Sequence, residues 1–208
     1  KIIDGDKENI ISIGSVLEHA GSLYFSINVY NDTGTMLEER IIKKTPKGLQ
    51  TVHSKGMWSK LFSFDGKLHG VGLKNRFEWP TTTSIHEISD SGKTKKIDEN
   101  FDRTIVDVKT SENSMFVLYE DSGKQLLGKK TKKGIENLIS EEITITDFMI
   151  EDNDIFFIAN SFTRNDEVFK FTELGIEKIS KTNDSFHRRV SSHDFTYKRF
   201  DTGKSEVD

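Results

Sequence analysis

The chain has 208 residues, of which 34% are hydrophobic and 31% charged, and its formal net charge at pH 7 is −4. That charge excludes the strongly basic surface typical of proteins that bind nucleic acid or anionic membranes. No apolar run of about 18 residues marks a membrane span, and the start has no apolar signal segment. The absence of cysteine excludes disulfides, thiolate metal sites and a cysteine nucleophile. We therefore expect a cytoplasmic protein whose partners include neither nucleic acid nor membrane.

A turn that contains glycine recurs along the chain at a nearly constant spacing. The turn glycines are 44, 42 and 41 residues apart, at Gly48, Gly92, Gly134 and Gly175. A second turn precedes each of them, between two runs of apolar, aromatic and β-branched residues, at Ala20-Gly21, Asp65-Gly66, Glu112-Asn113 and Asp152-Asn153. A run on each side of a short turn is the pattern of a β-hairpin. Each repeat therefore predicts four strands joined by three turns.

A four-stranded antiparallel unit of this length is typical of a β-propeller blade. We predict an all-β propeller region at residues 1–184, with about four blades near residues 11–54, 55–100, 101–142 and 143–183. These blades either close by themselves or belong to a larger propeller. A β-sandwich also has short strands and frequent turns, but it does not require a glycine to recur at a fixed period. An open arc of blades predicts self-association through open blade edges.

Loops between the second and third strands of each unit are predicted to be the variable ones. They fall at Asn31–Thr35, Lys74–Thr81, Glu120–Gly123 and Phe162–Glu167. Variable loops on a rigid frame usually carry binding, and two large aromatics in one loop either pack onto the blade or meet a partner. We predict a candidate rim and interface surface at Arg76, Phe77, Glu78, Trp79, Arg164 and Asn165.

Three segments carry a resemblance to a known family. The last unit ends in Ile179–Asn183 (ISKTN), Phe195–Gly203 (FTYKRFDTG) is a strand followed by a turn, and a hairpin after Trp58 turns at Ser63–Gly66 (SFDG). They resemble, in order, the blade ending, the entry to the hydrolase domain and the blade turn of the prolyl oligopeptidase family of serine peptidases, particularly its acylaminoacyl-peptidase-like branch. Phe64 stands where that family has proline, a departure from the pattern.

The resemblance implies the later blades of an N-terminal propeller. Residues 185–208 would then be an exit strand and linker towards an α/β-hydrolase domain that is absent from this chain. In the family, the propeller restricts entry to short or unstructured peptides, and the catalytic Ser, Asp and His lie in the hydrolase domain. The chain also begins at Lys1 without a methionine, which suggests a piece of a longer protein. The implied partner is therefore a peptide substrate, reached through the hydrolase domain.

The sequence contains no recognisable catalytic motif. No G-x-S-x-G elbow is present, and the six histidines show no paired metal-ligand spacing. His193 and Asp194 are sequence neighbours, so on a strand their side chains point to opposite faces. We therefore expect no catalytic, cofactor-binding or metal-binding residue in this chain. Two hypotheses remain: a non-catalytic propeller part of a serine peptidase, and a stand-alone propeller that binds a protein or a ligand.

Overall fold

A computed structural model of the chain describes residues 10–30, 37–75, 81–139, 141–152, 154–161, 163–172, 174–189, 200–201 and 206–207. Within these ranges the chain is almost entirely β-structure, with one short helix, α1 (Asp184–His187). The strands are β1 (Ile10–His19), β2 (Ser22–Tyr30), β3 (Leu37–Thr45), β4 (Gly48–His53), β5 (Met57–Phe64), β6 (Lys67–Leu73), β7 (Ser84–Ile88), β8 (Thr94–Lys96), β9 (Ile105–Ser111), β10 (Ser114–Asp121), β11 (Lys124–Thr131), β12 (Gly134–Asn137), β13 (Thr144–Glu151), β14 (Asp154–Ser161), β15 (Arg164–Thr172), β16 (Gly175–Lys178), β17 (Phe200–Asp201) and β18 (Glu206–Val207).

The first sixteen strands form four sheets of four strands each. In every sheet the strands are hydrogen-bonded in chain order, so each sheet is an antiparallel meander: β1–β4 (sheet 1), β5–β8 (sheet 2), β9–β12 (sheet 3) and β13–β16 (sheet 4). Strands β17 and β18 pair separately. The chain divides into two compact units, residues 1–108 and residues 109–208, and the division falls inside β9. The prediction of about four four-stranded antiparallel sheets is confirmed.

Three of the four sheets close their last hairpin with the same turn. Thr45, Thr131 and Thr172 each donate a hydroxyl hydrogen bond to the carbonyl of the glycine three residues later, at 2.9, 3.2 and 3.0 Å. Those glycines have φ of +128°, +140° and +122°, a region that only glycine enters readily. The local motif Thr-x-x-Gly therefore explains most of the glycine period in the sequence.

Sheet 2 closes its last hairpin differently. Its turn runs from Ser89 to Gly92, where the Gly92 amide donates to the Ser89 carbonyl at 2.8 Å and the Lys93 amide donates to the Ser89 hydroxyl at 3.0 Å. The Gly92 carbonyl also lies 3.0 Å from His53 Nδ1, on the last strand of sheet 1. In sheet 2, Ser89 therefore makes the turn hydrogen bonds in place of the threonine found in the other three sheets.

Two loop predictions were wrong. The connection from β10 to β11 is a tight turn in which Ser122 and Gly123 both have positive φ, and Asp121 pairs with Lys124 across it. Strand β15 begins at Arg164, so residues 164–167 are strand instead of loop. Polar side chains made these positions look like loops, but strand pairing is a backbone interaction that tolerates polar side chains on an exposed face. The predicted loop at residues 31–35 lies outside the described residues.

The core of unit 1 lies on both faces of sheet 1. On one face, Tyr24 and Ile41 pack with Trp58, Leu61, Leu68 and Ile88 of sheet 2. On the other face, a second cluster is formed by Phe25, Ile27, Val29 and Ile42. Because neighbouring strand residues point to opposite faces, Ile41 and Ile42 belong to different clusters. This two-sided burial explains the nearly continuous apolar run of β2.

In unit 2 the buried face of sheet 4 is aromatic. Phe148 and Phe157 are 2% and 1% exposed, and the Phe157 ring stacks on Phe169 with centroids 5.5 Å apart. Strand β11 of sheet 3 packs against β13 of sheet 4, where Leu127 and Ile145 are fully buried. The two faces of sheet 4 differ, since Met149 on the opposite face is half exposed.

Candidate functional site

The predicted rim residues divide into two groups. Arg76, Phe77, Glu78 and Trp79 lie outside the described residues. Arg164 and Asn165 begin β15 and are both exposed. They line a depression in unit 2 with a volume of about 770 Å³. We call this depression the Arg164 groove.

The Arg164 groove is lined by both apolar and polar side chains. Its apolar lining is formed by Ile143, Ala159, Phe169 and Ile176. Its polar lining consists of Glu141, Asn160, Ser161, Thr163, Arg164, Asn165, Glu167, Lys178, Asp184 and Arg188. A cavity of this size with both kinds of lining is typical of small-ligand sites.

Glu167 is the centre of a hydrogen-bond network in the groove. Only 4% of the residue is exposed, and its carboxylate accepts from the Ser180 hydroxyl and from the Asn183 amide at 3.2 Å. Lys178 lies 3.2 Å from the same carboxylate and 2.5 Å from that of Asp184. The Ser180 hydroxyl first, then Lys178 and the Asn183 amide, hold the pKa of the Glu167 carboxyl below its ordinary value. The network fastens residues 179–184 to sheet 4.

Arg164 stands apart from this network. Among the described residues it makes no side-chain hydrogen bond and no ion pair, whereas Lys178 is neutralised by two carboxylates. Arg188 donates from Nε to the Asp184 carbonyl at 3.2 Å, within its own turn of chain. A guanidinium presents a planar fork of donors that suits a carboxylate. Arg164 is therefore the groove residue best placed to bind an anionic group of a ligand.

The sequence did not single out Glu167, Lys178 or Arg188. A usable signal was present, because Glu167 shares the two-residue period of Phe169 and Phe171 and therefore points to the face that they occupy. A carboxylate on an apolar face requires partners. The family-like ending Ile179–Asn183 supplies two of them, Ser180 and Asn183.

One serine–histidine pair in unit 1 has the separation of a catalytic pair. His19 Nδ1 lies 2.8 Å from the Ser63 hydroxyl, joining the ends of β1 and β5. A triad also needs a carboxylate on the other ring nitrogen, and no described carboxylate bonds to His19. The pair therefore forms a hydrogen bond that joins sheet 1 to sheet 2.

Within the described ranges, no three His, Asp or Glu side chains come together in a way that could hold a metal ion. No helix in the described part of the chain has the length and apolar character needed to cross a membrane.

Comparison with solved structures relates these sheets to a known architecture. The acylaminoacyl peptidase of Pyrococcus horikoshii matches 92% of this chain with a TM-score of 0.73 and 14% identity. The β-propeller domain of the Trilobed protease from Pyrococcus furiosus, described as having an open velcro topology, matches 81% of the chain with a TM-score of 0.65 and 12% identity. The chain has the β-propeller fold. Its four meander sheets are propeller blades, and the resemblance drawn from the sequence is confirmed at the level of the fold.

The chain corresponds to only part of each of these proteins. The chain spans 31% of the P. horikoshii peptidase and 55% of the P. furiosus domain. Dipeptidyl peptidase 4 of Porphyromonas gingivalis is a weaker match, with a TM-score of 0.53 and 13% identity, and the chain spans 29% of it. No protein-family model matches the sequence, and no curated protein sequence matches it significantly.

Proposed function

We propose that this propeller is the non-catalytic part of a serine peptidase of the prolyl oligopeptidase type, and that it controls which peptides reach a hydrolase domain. The observation that carries the proposal is the structural match to an acylaminoacyl peptidase over 92% of the chain. A propeller by itself hosts many functions. The family-like segments after Trp58 and at Ile179–Asn183 therefore supply the second support.

In this proposal the Arg164 groove meets the incoming peptide. Arg164 would bind a peptide carboxylate, and the apolar lining around Phe169 would accept an apolar side chain. Asn165, which also lines the groove, would contact the peptide backbone. The chemistry of hydrolysis would belong entirely to the hydrolase domain.

Activity assays on two proteins test the proposal. The 208-residue chain and the full product of its gene would be compared on N-acetyl-alanyl and peptidyl p-nitroanilides. We expect hydrolysis by the full product and none by the chain alone. Equal rates for the two proteins would contradict the proposal, because they would place the catalytic residues in this chain. The coding sequence after Asp208 gives a second test, since a G-x-S-x-G motif supports the peptidase and a stop codon excludes it.

A stand-alone binding propeller is the second candidate. The observation that favours it is that four four-stranded blades and a groove of about 770 Å³ lie within the described residues of this chain. Calorimetric titration of the chain with short peptides that carry a free carboxyl end would distinguish the candidates. Micromolar binding together with a stop codon after Asp208 supports the stand-alone module.

We also propose a cytoplasmic location. Support comes from the absence of cysteine, which fits a reducing compartment. Fractionation of cells that express the full gene product would test this, and recovery with the membrane or secreted fraction would contradict it.

A further inference from the structure

The four sheets share one register, so their faces can be compared position by position. In every sheet the residue five places before the last turn glycine is paired with a ring side chain on the second strand, and the four rings are those of Tyr24, His69, Phe116 and Phe156. The residue two places after the ring is paired with the residue seven places before the glycine. These positions point to the same side of the sheet as the ring. We call that side the ring face.

The ring face is buried in three sheets and exposed in sheet 4. In sheets 1 to 3 its residues are at most 7% exposed, at Tyr24, Ser26, Ile41, His69, Val71, Ile85, Phe116, Leu118 and Leu127. In sheet 4, Ile158 and Val168 are 38% and 37% exposed, and Phe156 is half-buried. Met149, opposite Phe156, is 50% exposed. We call these four residues of sheet 4 the tail face; they line a depression of about 240 Å³.

Sheet 1 differs from its relatives on the opposite side. Leu61 of sheet 2 and Phe148 of sheet 4 are each paired with the residue that follows the ring, and both are at most 3% exposed. Val16 holds that position in sheet 1 and is 58% exposed. The same holds three residues earlier on the first strand, where Ile13 is 47% exposed and Trp58 only 3%. We call Ile13, Val16 and the adjacent Leu23 of sheet 1 the head face.

The contact between sheet 1 and sheet 2 shows how the two kinds of face fit together. Tyr24 and Ile41, on the ring face of sheet 1, pack with Trp58, Leu61, Leu68 and Ile88 of sheet 2. The head-face residues occupy in sheet 1 the positions of Trp58, Leu61 and Leu68. The head face is therefore equivalent to the surface that covers a ring face in this structure. Contiguous exposed apolar residues mark interaction surfaces, and this chain exposes both members of the pair.

Charge favours this pairing at one edge. Lys170 sits over the Phe156 ring and is already paired with Asp154 at 2.5 Å. Glu177, paired with Lys170 across the sheet, is an exposed acid on the same side. In sheet 1, Lys44 holds the place of Ile88, four residues before the turn glycine. A head face that covers the tail face therefore brings the Lys44 ammonium to the part of the tail face that carries Glu177.

The opposite edge brings two like charges together. His19 and Ser63 are hydrogen-bonded between sheets 1 and 2. Their places are taken by Glu151 on the side of the tail face and by Glu18 on the side of the head face. Both carboxylates are exposed, and interactions between exposed charges are small. This pair therefore weakens the contact slightly and marks its register.

We propose that the tail face of sheet 4 binds the head face of sheet 1 in a second copy of this chain. Val16 of one copy takes the place that Leu61 has against sheet 1, and Val168 of the other takes the place of Ile41. The two faces differ, so each copy binds one neighbour through each face, a heterologous contact that produces rings or chains of copies. The proposal rests on the internal repeat and does not depend on the peptidase assignment.

Variants of each face give the first test. Light scattering across a concentration series should show species larger than the 23.8 kDa chain. Val16→Lys and Ile158→Lys should each shift the midpoint of association at least tenfold towards higher concentration. Leu174→Lys is the matched control, because Leu174 is fully exposed at a hairpin tip, and it should leave the midpoint unchanged.

Two outcomes of this measurement contradict the proposal. A monomer at every concentration would overturn it and would leave the tail face for another protein or a further part of the polypeptide. Association of Val16→Lys at the wild-type midpoint would also overturn it, because the contact would then not use the head face.

Mixing the two lysine variants gives a sharper test. Val16→Lys keeps an intact tail face and Ile158→Lys an intact head face. An equal mixture should therefore form a dimer at concentrations where each variant alone is monomeric. Because this dimer requires both variants to be folded, its formation also excludes misfolding as the cause of the first result. A mixture that stays monomeric would refute head-to-tail binding.

Cross-linking tests the same contact through a covalent bond. The chain contains no cysteine, so any disulfide in a single-cysteine variant joins two molecules. In a mixture of Val16→Cys and Val168→Cys under mild oxidation, the mixed disulfide should form at least tenfold faster than either symmetric one. Comparable rates for the three disulfides would contradict the proposal.

The register is tested by charge reversal at Glu18. Glu18→Lys replaces the repulsion with Glu151 by attraction, and should lower the midpoint of association about threefold at low salt and less at high salt. Glu112→Lys is the control, because Glu112 is exposed in the turn between β9 and β10. Equal midpoints for these two variants would overturn the proposed register.

Discussion

At the scale of single residues, the most constrained group is the ring cluster around Trp58. The rings of His53 and His86 meet the indole edge-on, each with a centroid distance of 5.5 Å, and a Cβ on Gly70 would lie 2.6 Å from it. Among the described atoms, neither Trp58 Nε1 nor His86 Nδ1 has a hydrogen-bond partner. Burial of an imidazole favours its neutral form, and it lowers the pKa of His86 to about 4.

The lowered pKa of His86 predicts a loss of stability in mild acid. Between the ordinary histidine pKa of about 6.5 and the folded value of about 4, the unfolded chain binds a proton that the folded chain does not. Stability therefore falls as the pH drops through this window, by up to about 3 kcal/mol at 1.36 kcal/mol per pKa unit. Below about pH 4 the contribution of His86 stays constant, because both states are then protonated.

Urea unfolding at a series of pH values measures this effect. His86→Phe keeps a ring against Trp58 and removes the titrating group, so its stability should fall less than that of the wild type between pH 6.5 and pH 4. The difference between the two profiles isolates His86 from the other histidines. Parallel profiles for the two proteins would contradict the prediction, because they would show that the pKa of His86 is the same in the folded and the unfolded chain.

At the scale of the element, sequence reasoning succeeded where local turn chemistry decides the structure. The glycine period predicted all four last hairpins, and the Thr-x-x-Gly motif accounts for three of them. Sequence reasoning failed for the start of β15. Arg164 pairs with Ser161 through the backbone, and the polar side chains of this segment gave no strand pattern. Arg164 and Asn165 were thus predicted as loop residues, and the structure places them at the groove on a strand.

The element fastened by Glu167 allows a further prediction. Glu167→Gln keeps the shape of the side chain and removes the charge that Lys178 and the Ser180 hydroxyl stabilise. Because hydrogen bonds to a charged acceptor are stronger than those to a neutral one, we expect local opening of residues 179–184 to become at least tenfold more frequent. Hydrogen exchange followed by mass spectrometry measures this, while exchange in β14 should stay unchanged.

The matched control for this prediction is Glu177→Gln. Glu177 lies on β16 and is exposed, so its neutralisation should leave the exchange of residues 179–184 unchanged. The wild type should also resemble Glu167→Gln in acid. The pKa of Glu167 is lowered, so its contribution is complete above the ordinary value of about 4.5 and is lost as the pH falls through the lower folded value. Identical exchange in the two variants would show that the network does not hold the segment.

At the scale of the whole molecule, the chain is built from repeated four-stranded sheets, and neighbouring residues of one strand are buried on different faces of their sheet. Sheet 1 shows this most clearly, because Ile41 and Ile42 are sequence neighbours in separate clusters. In repeat architectures, stability is approximately the sum of the units and the interfaces between neighbouring units. Energetic coupling should therefore follow the sheet interface, even where it joins residues that are far apart in the sequence.

A double-mutant cycle tests this rule directly. Leu61→Ala opens a cavity in the cluster shared by sheet 1 and sheet 2 and should cost about 2–5 kcal/mol, whereas Ile41→Val and Ile42→Val should each cost about 0.5–1.5 kcal/mol. When Leu61→Ala is combined with Ile41→Val, the change in unfolding free energy should differ from the sum of the two single changes by more than about 0.5 kcal/mol. When Leu61→Ala is combined with Ile42→Val, the difference should be less than about 0.5 kcal/mol. Urea unfolding of the single and double variants gives both coupling energies. Stronger coupling of Leu61 to Ile42 would mean that strain travels along β3 through the backbone, and that the interface between sheets does not organise the stability of the chain.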